Sequence, residues 1–237
     1  MKITLFDSRR HIKETEIINK TVVVIDVLRT SATIIAALQN GCTRIIPVAN
    51  VDEMVEVKRL SESDVLLCGD SGINNLQDFD LSNSPAEYER SVIQEKILAL
   101  YSVDGTTTLK KAENAKNVLI GTFLNADAVA KKILELGDDV YIICSGIKNE
   151  FAIDDCIAAG CIISRIIDHD KSVELEDFGE LATRFYISGR LDILRTVKLG
   201  EKAKKLTRIG FESDIEYCVR EDVTDIVPIF KESMIIL

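Results

Sequence analysis

A run of strand-forming residues, Thr21-Val22-Val23-Val24-Ile25, delivers Asp26, and Arg29, Thr30 and Ser31 follow within five residues. A carboxylate at the carboxyl end of a parallel strand stands where open α/β sheets bind ligands. A guanidinium beside a helix N-terminus suits a phosphate or another oxyanion. One turn thus offers a metal-ligating or acid–base group together with an anion clamp. Taken alone, Asp26 and Ser31 serve equally well as helix caps and Arg29 as a surface residue. Three further turns of the same kind change that balance.

The second is Gly69-Asp70-Ser71-Gly72, after Val65-Leu66-Leu67. It opens a long connection through Phe79-Asp80-Leu81-Ser82 to Asn83-Ser84-Pro85, where Asn83 or Ser84 can cap a helix with Pro85 at its first position. A connection this long inside a compact domain is often functional. The third is Ser102-Val103-Asp104-Gly105-Thr106-Thr107, after Ile97–Tyr101. It brings hydroxyls, backbone N–H groups and a carboxylate to one strand-to-helix junction, the composition of an oxyanion and metal site. The fourth is Ser145-Gly146 after Val140–Ile143, with Asp154-Asp155 downstream. That acidic pair suits Mg²⁺, which prefers oxygen ligands, and equally complements the dipole of the helix it begins. Parallel strands gather their ends on one edge, so the four turns together describe an oxygen-rich pocket for a divalent cation and an oxyanionic substrate.

The elements that must position these turns alternate. Strand-like runs fall at 3–6, 21–26, 43–48, 64–68, 96–101, 117–121 and 140–145, with helical periodicity at 31–40, 51–60, 84–91, 106–115 and 124–136. Nearly continuous Val/Ile/Leu strands are covered on both faces. The pattern predicts an α/β fold: a three-layer α/β/α sandwich with a largely parallel sheet. The last third is predicted helical over 152–167, 173–188, 190–207 and 212–220. Two short strands, 225–230 and 234–237, are expected to return to a sheet edge. Residues 23–30 overlay on 118–125, as any two β-α-β units would. The chain reads as one domain, 1–237, within which two similar lobes, 1–115 and 116–237, are one option.

Composition narrows the function. The chain has 237 residues, 46% hydrophobic, enough for one large core, and a net charge of −10. That charge argues against nucleic-acid and anionic-membrane partners, which favour basic surfaces. No apolar run approaches the ~20 residues that span a bilayer, and the N-terminus reads as a strand rather than a signal peptide. The six cysteines form no C-x-x-C pair and sit in apolar runs, as reduced core thiols of a cytoplasmic protein do. With two histidines, His11 and His169, a Ser-His-Asp hydrolase or a multi-His metal site is not expected. There is no G-x-x-x-x-G-K-[ST] and no G-x-G-x-x-G. Haloacid-dehalogenase-like phosphatases are a runner-up: Asp26-Val27-Leu28 lacks the second acid of their D-x-D, and Asp104-Gly105-Thr106 lacks the nucleophile.

In order along the chain, V-V-V-I-D-V-L-R-T-S-A-T (22–33), G-D (69–70), F-D-L-S-N-S-P (79–85), V-D-G-T (103–106), G-T-F-L-N-A (121–126), C-S-G (144–146), D-D-C-I-A-A-G (154–160), D-I-E-Y-C (214–218), Asp222 and V-P (227–228) resemble the 2-phosphosulfolactate phosphatase family of coenzyme M biosynthesis. Its pattern has Glu-Arg at Asp70-Ser71, Asn at Asp104 and Glu at Asp154. The resemblance implies Mg²⁺-dependent hydrolysis of a phosphate ester on a sulfonated lactate, giving sulfolactate and phosphate. It implies a small anionic phosphorylated substrate as partner, with no nucleic acid or membrane; a homodimer is one option the sequence leaves open. Phosphoryl transfer needs positioning and charge neutralisation more than covalent work. The candidate metal ligands are Asp26, Asp70, Asp154 and Asp155. Arg29, Thr30, Ser31, Asn83, Ser84, Gly105, Thr106, Thr107 and Ser145 are the candidate substrate-binding residues. Asp26, Arg29 and Asp104 are the candidate catalytic ones, with Asp26 or Asp104 as nucleophile or as base for a water. A metabolite sensor on the same scaffold, and a structural role in which the turns are only caps, are the competing readings.

Overall fold

The computed structural model describes residues 1–61, 64–70 and 79–237. Among these, eleven strands form one sheet: β1 (Lys2–Phe6), β2 (Thr21–Ile25), β3 (Arg44–Val48), β4 (Val65–Gly69), β5 (Leu81–Ser82), β6 (Ile97–Tyr101), β7 (Asn117–Gly121), β8 (Val140–Cys144), β9 (Glu174–Leu175), β10 (Ile229–Lys231) and β11 (Met234–Ile236). Their order is β5-β4-β6-β3-β11-β10-β7-β2-β8-β1-β9. Strands β9-β1-β8-β2-β7 are mutually parallel, as are β5-β4-β6-β3. The helices are α1 (Glu14–Ile17), α2 (Thr30–Gln39), α3 (Val51–Leu60), α4 (Arg90–Ile93), α5 (Gly105–Lys111), α6 (Ala126–Leu136), α7 (Ile153–His169), α8 (Asp177–Gly189), α9 (Ile193–Val197), α10 (Glu201–Arg208) and α11 (Glu212–Cys218).

All five residues of β2 are buried. Val23 and Ile25 join the apolar cluster that includes Val129 and Ile133 of α6 and Ile157 and Ile162 of α7. Val22 and Val24 point the other way, to Ile34 and Leu38 of α2 and Leu109 of α5. A strand covered on both faces is apolar throughout because alternate side chains enter two different cores. The three-layer α/β/α architecture with a largely parallel sheet is therefore the observed one.

The chain end differs from expectation. Strands β10 and β11 do not lie at an edge. They form an antiparallel hairpin between the two parallel halves, β10 on β7 and β11 on β3. Phe230 and Ile235, 4% and 0% exposed, fill the seam, and the edges are the two-residue strands β5 and β9. Short edges limit unwanted pairing. The five-stranded half draws β1 and β2 from residues 1–115 and β7, β8 and β9 from 116–237, whereas β3 to β6 all come from the first span.

Two expected helices are broken. In 84–91, a single 3₁₀ turn, Pro85–Glu87, precedes α4. The Glu87 carboxylate accepts from the Ser82 amide and hydroxyl, and the Tyr88 hydroxyl donates to the Ser82 carbonyl; such local bonds compete with helix propagation. In 190–207, Asp192 accepts from the Arg195 amide and caps α9, and Gly200 separates α9 from α10. All six cysteines are buried and unpaired. Among the described residues, no helix is long and apolar enough to cross a membrane.

Because the hairpin closes the seam between the two parallel halves, Ile235→Ala should cost about 2–5 kcal/mol, the range for a fully buried Ile truncation. A urea denaturation midpoint that stays at the wild-type value would show that the hairpin does not carry the seam.

Candidate active site

The exit of β2 is a closed turn. The Asp26 amide donates to the Ser31 hydroxyl at 3.0 Å, and the Ser31 amide donates back to the Asp26 carbonyl at 2.9 Å. Ser31 thus spends its groups on the turn itself. The Leu28–Arg29 peptide within it is cis. Asp26, 3% exposed, directs its carboxylate outward from the strand end. Its Oδ2 accepts from Thr30 Oγ1 at 2.5 Å and its Oδ1 from Lys202 Nζ at 2.7 Å.

The turn after β6 comes directly against it. Thr30 Oγ1 lies 2.8 Å from Ser102 Oγ, which also accepts from the Gly105 amide at 3.2 Å. A Cβ on Gly105 would fall 2.5 Å from Asp26 Oδ2 and 2.6 Å from Thr30 Oγ1, so this close approach requires glycine. Thr106 is fully engaged: it donates to the Val48 and Ser102 carbonyls and accepts from the Ser102 amide, tying the ends of β3 and β6. Thr107 bonds back to the Val103 carbonyl along its own helix. Asn83 donates to Thr30 Oγ1 at 3.4 Å, while its own carbonyl accepts from Thr33. Its Oδ1 is buried without a partner among the described residues.

The turn after β8 closes the third side. The Ser145 amide donates to the Ile25 carbonyl at 2.8 Å. Asp155 accepts from the Val27 amide on Oδ1 and the Gly146 amide on Oδ2, both at 2.9 Å. It stitches the exits of β2 and β8 and has no oxygen free of a backbone amide. Asp154, 1% exposed, has both carboxylate oxygens without a hydrogen-bond partner among the described residues. Burial pushes the pKa of both carboxyls up, and Lys202 opposes that rise. Burial acts to lower the pKa of Lys202 itself, but Asp155, Asp26 and Asp154 around it raise it well above its ordinary value. It is an ammonium ion, 3.8 Å from Asp155 as well as paired with Asp26.

Arg29 is not a free cation. It is 6% exposed, donates from Nη1 to Asp214 Oδ2 at 2.5 Å and stacks 4.6 Å from the centroid of the Phe211 ring. The other oxygen of Asp214 accepts from the Ser84 hydroxyl at 2.8 Å. One of the five N–H donors of Arg29 is thereby used, and the cation–π contact holds the plane of the fork. Across the site, Asp104 accepts on Oδ1 from Arg9 Nη1 at 2.7 Å and from the Lys148 amide at 3.0 Å.

A model of the 2-phosphosulpholactate phosphatase family matches residues 6–233. The chain is 39% identical over 236 residues to the probable 2-phosphosulfolactate phosphatase of Clostridium acetobutylicum, covering all of both chains. It is 40% identical over 230 residues to that of Clostridium novyi, covering 97% of each. It is 37% identical to that of Clostridium tetani, covering 99% of this chain and 100% of the other. The chain belongs to the 2-phosphosulfolactate phosphatase family. The family is one of phosphoric monoester hydrolases, and the three turns on Asp26 are the part of this member that offers acidic, hydroxyl and cationic groups together.

The expected carboxylate quartet does not form one cage. Among the described residues, no three His, Cys, Asp or Glu side chains are poised together around a cation position. Asp70 stands at the end of β4 beside β6, its amide on the Tyr101 carbonyl at 3.0 Å, while Asp155 is committed to two amides. Of the three carboxylates at the β2 exit, Asp26 and Asp154 are the two that could hold a metal. Ser71, at which this chain departs from the family's Glu-Arg pattern, lies outside the described residues. Sequence reasoning gave no role to Lys202, Asp214, Phe211, Ser102 or Arg9, although Ser102 opens the third polar turn and Asp214 the D-I-E-Y-C motif. Arg9 had a local signal, since Asp7-Ser8-Arg9 is one more polar turn after a strand. Lys202 had none: it lies in a charged helix of ordinary composition, and its partners are more than 40 residues distant in sequence.

Gly105→Ala should drive a methyl into Asp26 and Thr30 while leaving the core intact. A displacement of that size typically costs about a hundredfold in kcat/KM; wild-type phosphomonoesterase kinetics would mean that Asp26 and Thr30 do not work in this position.

Proposed function

We propose that this protein hydrolyses 2-phosphosulfolactate, or a closely related anionic phospho-hydroxy acid, to sulfolactate and phosphate with the help of Mg²⁺. The observation that carries this reading is the charge at the β2 exit. Three buried carboxylates, Asp26, Asp154 and Asp155, face one ammonium, Lys202, a formal excess of two negative charges when all three are ionised. The two orphaned oxygens of Asp154 lie within that cluster. A divalent cation would neutralise the excess, and Mg²⁺ is commonly held by one or two carboxylates plus substrate phosphate oxygens. Asp26 and Asp154 would hold it, and it would neutralise charge on the phosphoryl oxygens during transfer.

The chain's own residues supply the rest. Asp104, its Oδ1 fixed by Arg9 and the Lys148 amide, keeps Oδ2 for the proton of an attacking water. Arg29, held flat on Phe211, presents its remaining donors to the phosphoryl group. The Thr30 and Ser102 hydroxyls and the Asn83 side chain line the approach. The relatives' shared name supports the substrate, and the three turns that meet at Asp26 support the reaction type. A cytoplasmic location fits six buried, unpaired thiols.

Phosphate release from 2-phosphosulfolactate should be seen with Mg²⁺ and be lost with EDTA, and Asp154→Asn should raise the Mg²⁺ needed for half-maximal rate. No release from this ester or its congeners overturns the activity; release undiminished in EDTA overturns the metal. Arg29→Lys should keep the ion pair with Asp214 but lose the fork, lowering kcat/KM by about tenfold or more. Arg29→Ala would in addition strand the buried Asp214 carboxylate, at a cost of about 3–5 kcal/mol. Unchanged kinetics in Arg29→Lys would reduce the residue's part to charge alone.

A further inference from the structure

A second polar centre lies beside the Asp26 turn, and the reaction just proposed leaves most of it unused. Arg9 follows β1 and is 7% exposed. Its guanidinium bridges two of the site's turns, donating from Nη1 to Asp104 Oδ1 at 2.7 Å and to the Ser145 carbonyl at 3.1 Å. All its side-chain bonds leave from Nη1, so Nε and Nη2 keep their three donors among the described residues. Two buried hydroxyls belong to the segments it joins, Ser8 just before it and Ser145, whose carbonyl it binds. Ser8 Oγ and Ser145 Oγ belong to residues 1% and 0% exposed, and neither has a hydrogen-bond partner among the described residues. Ser8 packs against the turn after β8: a Cβ on Gly146, the residue after Ser145, would fall 3.3 Å from Ser8 Cβ. A buried hydroxyl left unpaired is destabilising, and native chains seldom keep one without a reason. Two of them beside a partly unused guanidinium point to a partner that the chain does not itself supply.

The sign and shape of that partner follow from the groups present. The Lys111 ammonium sits 2.7 Å from the Arg9 carbonyl, a second cation beside the guanidinium. The groups left over, guanidinium N–H and hydroxyl O–H, are donors, so the partner is an acceptor, and an anionic acceptor makes the stronger, charge-assisted bond to the guanidinium. The centre has three separate sources of donors: the guanidinium and two hydroxyls. A group with three terminal oxygens can use all three, whereas a carboxylate has two oxygens. We propose that Arg9, Ser8 and Ser145 form a second oxyanion subsite that binds the sulfonate of the substrate, holding it on the β1–β8 side while the phosphoryl group faces Asp26. This assignment rests on the phosphatase reading for the identity of the sulfonate. It makes Arg9 a specificity-determining residue, and it explains how a chain with Asp104 at the site mouth still favours an anion there.

The test uses the whole protein with Mg²⁺ present and titration calorimetry with sulfolactate, lactate and inorganic phosphate. Wild type should bind sulfolactate at least tenfold more tightly than lactate. Arg9→Gln and Ser8→Ala should each weaken sulfolactate at least tenfold and change the Kd for phosphate less than threefold. Ser8→Ala should keep the wild-type Tm, because the hydroxyl it removes has no partner among the described residues; it thus reads the subsite even if Arg9→Gln folds poorly. The ratio of kcat/KM for 2-phosphosulfolactate to that for 2-phospholactate should fall at least tenfold in the same variants. An unmoved sulfolactate Kd, or a parallel loss of phosphate affinity, overturns the subsite. If no ester is hydrolysed yet sulfolactate binding responds to Arg9 and Ser8, the phosphatase reading fails and the subsite stands. If hydrolysis is seen with the selectivity ratio unmoved, the subsite fails and the phosphatase stands.

Discussion

The ion pair between Lys202 and Asp26 is the constraint on which the rest of this site depends. Carboxylates buried at a strand end are costly unless charge and hydrogen bonds compensate them. Asp26, Asp154 and Asp155 are all 3% exposed or less, and Lys202 is the ammonium that faces them. That lysine comes from α10, in the helical last third of the chain. The cost of burying acid on β2 and α7 therefore dictates where the C-terminal helices must dock. Asp214 of α11 repeats the arrangement with the sign reversed, since it compensates the buried Arg29 of the β2 turn. Two ion pairs of opposite polarity thus fasten the same helical segment to the same turn.

This exchange of charge explains why the helices beyond α8 are short and broken. α9, α10 and α11 have five, eight and seven residues, too few to be stable on helix propensity alone. They are held by burial of Ile193, Val197, Ala203, Leu206, Ile215 and Cys218 against the face of the sheet that carries α6 and α7, and by their charged contacts to the β2 exit. A continuous helix over the same residues could not place both Lys202 and Asp214 on one turn.

Around this charged centre lies a lattice of hydroxyls and amides that has a positional role. Ser31, Thr106 and Asp155 use their hydrogen-bonding groups on backbone at the ends of β2, β3, β6 and β8. Those bonds align four strand exits and leave other groups, on Asp154, Asn83, Ser8 and Ser145, without hydrogen-bond partners among the described residues. Residues of the same chemical type therefore divide into those that build the edge and those that face whatever the edge binds. Arg9 belongs to both groups, since one of its nitrogens binds Asp104 and Ser145 while the other two keep their donors.

Much of the layout is legible in the sequence. Seven strand runs read from aliphatic continuity match the observed strands to within a residue at each end, and the polar turns after β2, β6 and β8 do converge on Asp26. Burial on both faces writes itself into consecutive residues, and the parallel neighbours β2 and β8 must end on a common edge; β6 runs opposite to them, since three antiparallel pairings separate the halves, so the arrival of its turn at Asp26 is a tertiary outcome. Family membership also followed from short contiguous motifs. Composition could not tell which hydroxyls and carboxylates are spent on backbone. Asp154 and Asp155 are adjacent and chemically identical, yet Asp155 binds the Val27 and Gly146 amides while the oxygens of Asp154 have no hydrogen-bond partner among the described residues, because a helix turns successive side chains by about 100° and sets the two differently against the same strand exit. Nor could spacing reveal Lys202, or that the terminal hairpin fills the middle of the sheet rather than its edge. Those outcomes were decided by tertiary structure, since a buried charge and an open sheet seam are each satisfied by whichever distant segment can reach them, and sequence separation carries no record of that reach.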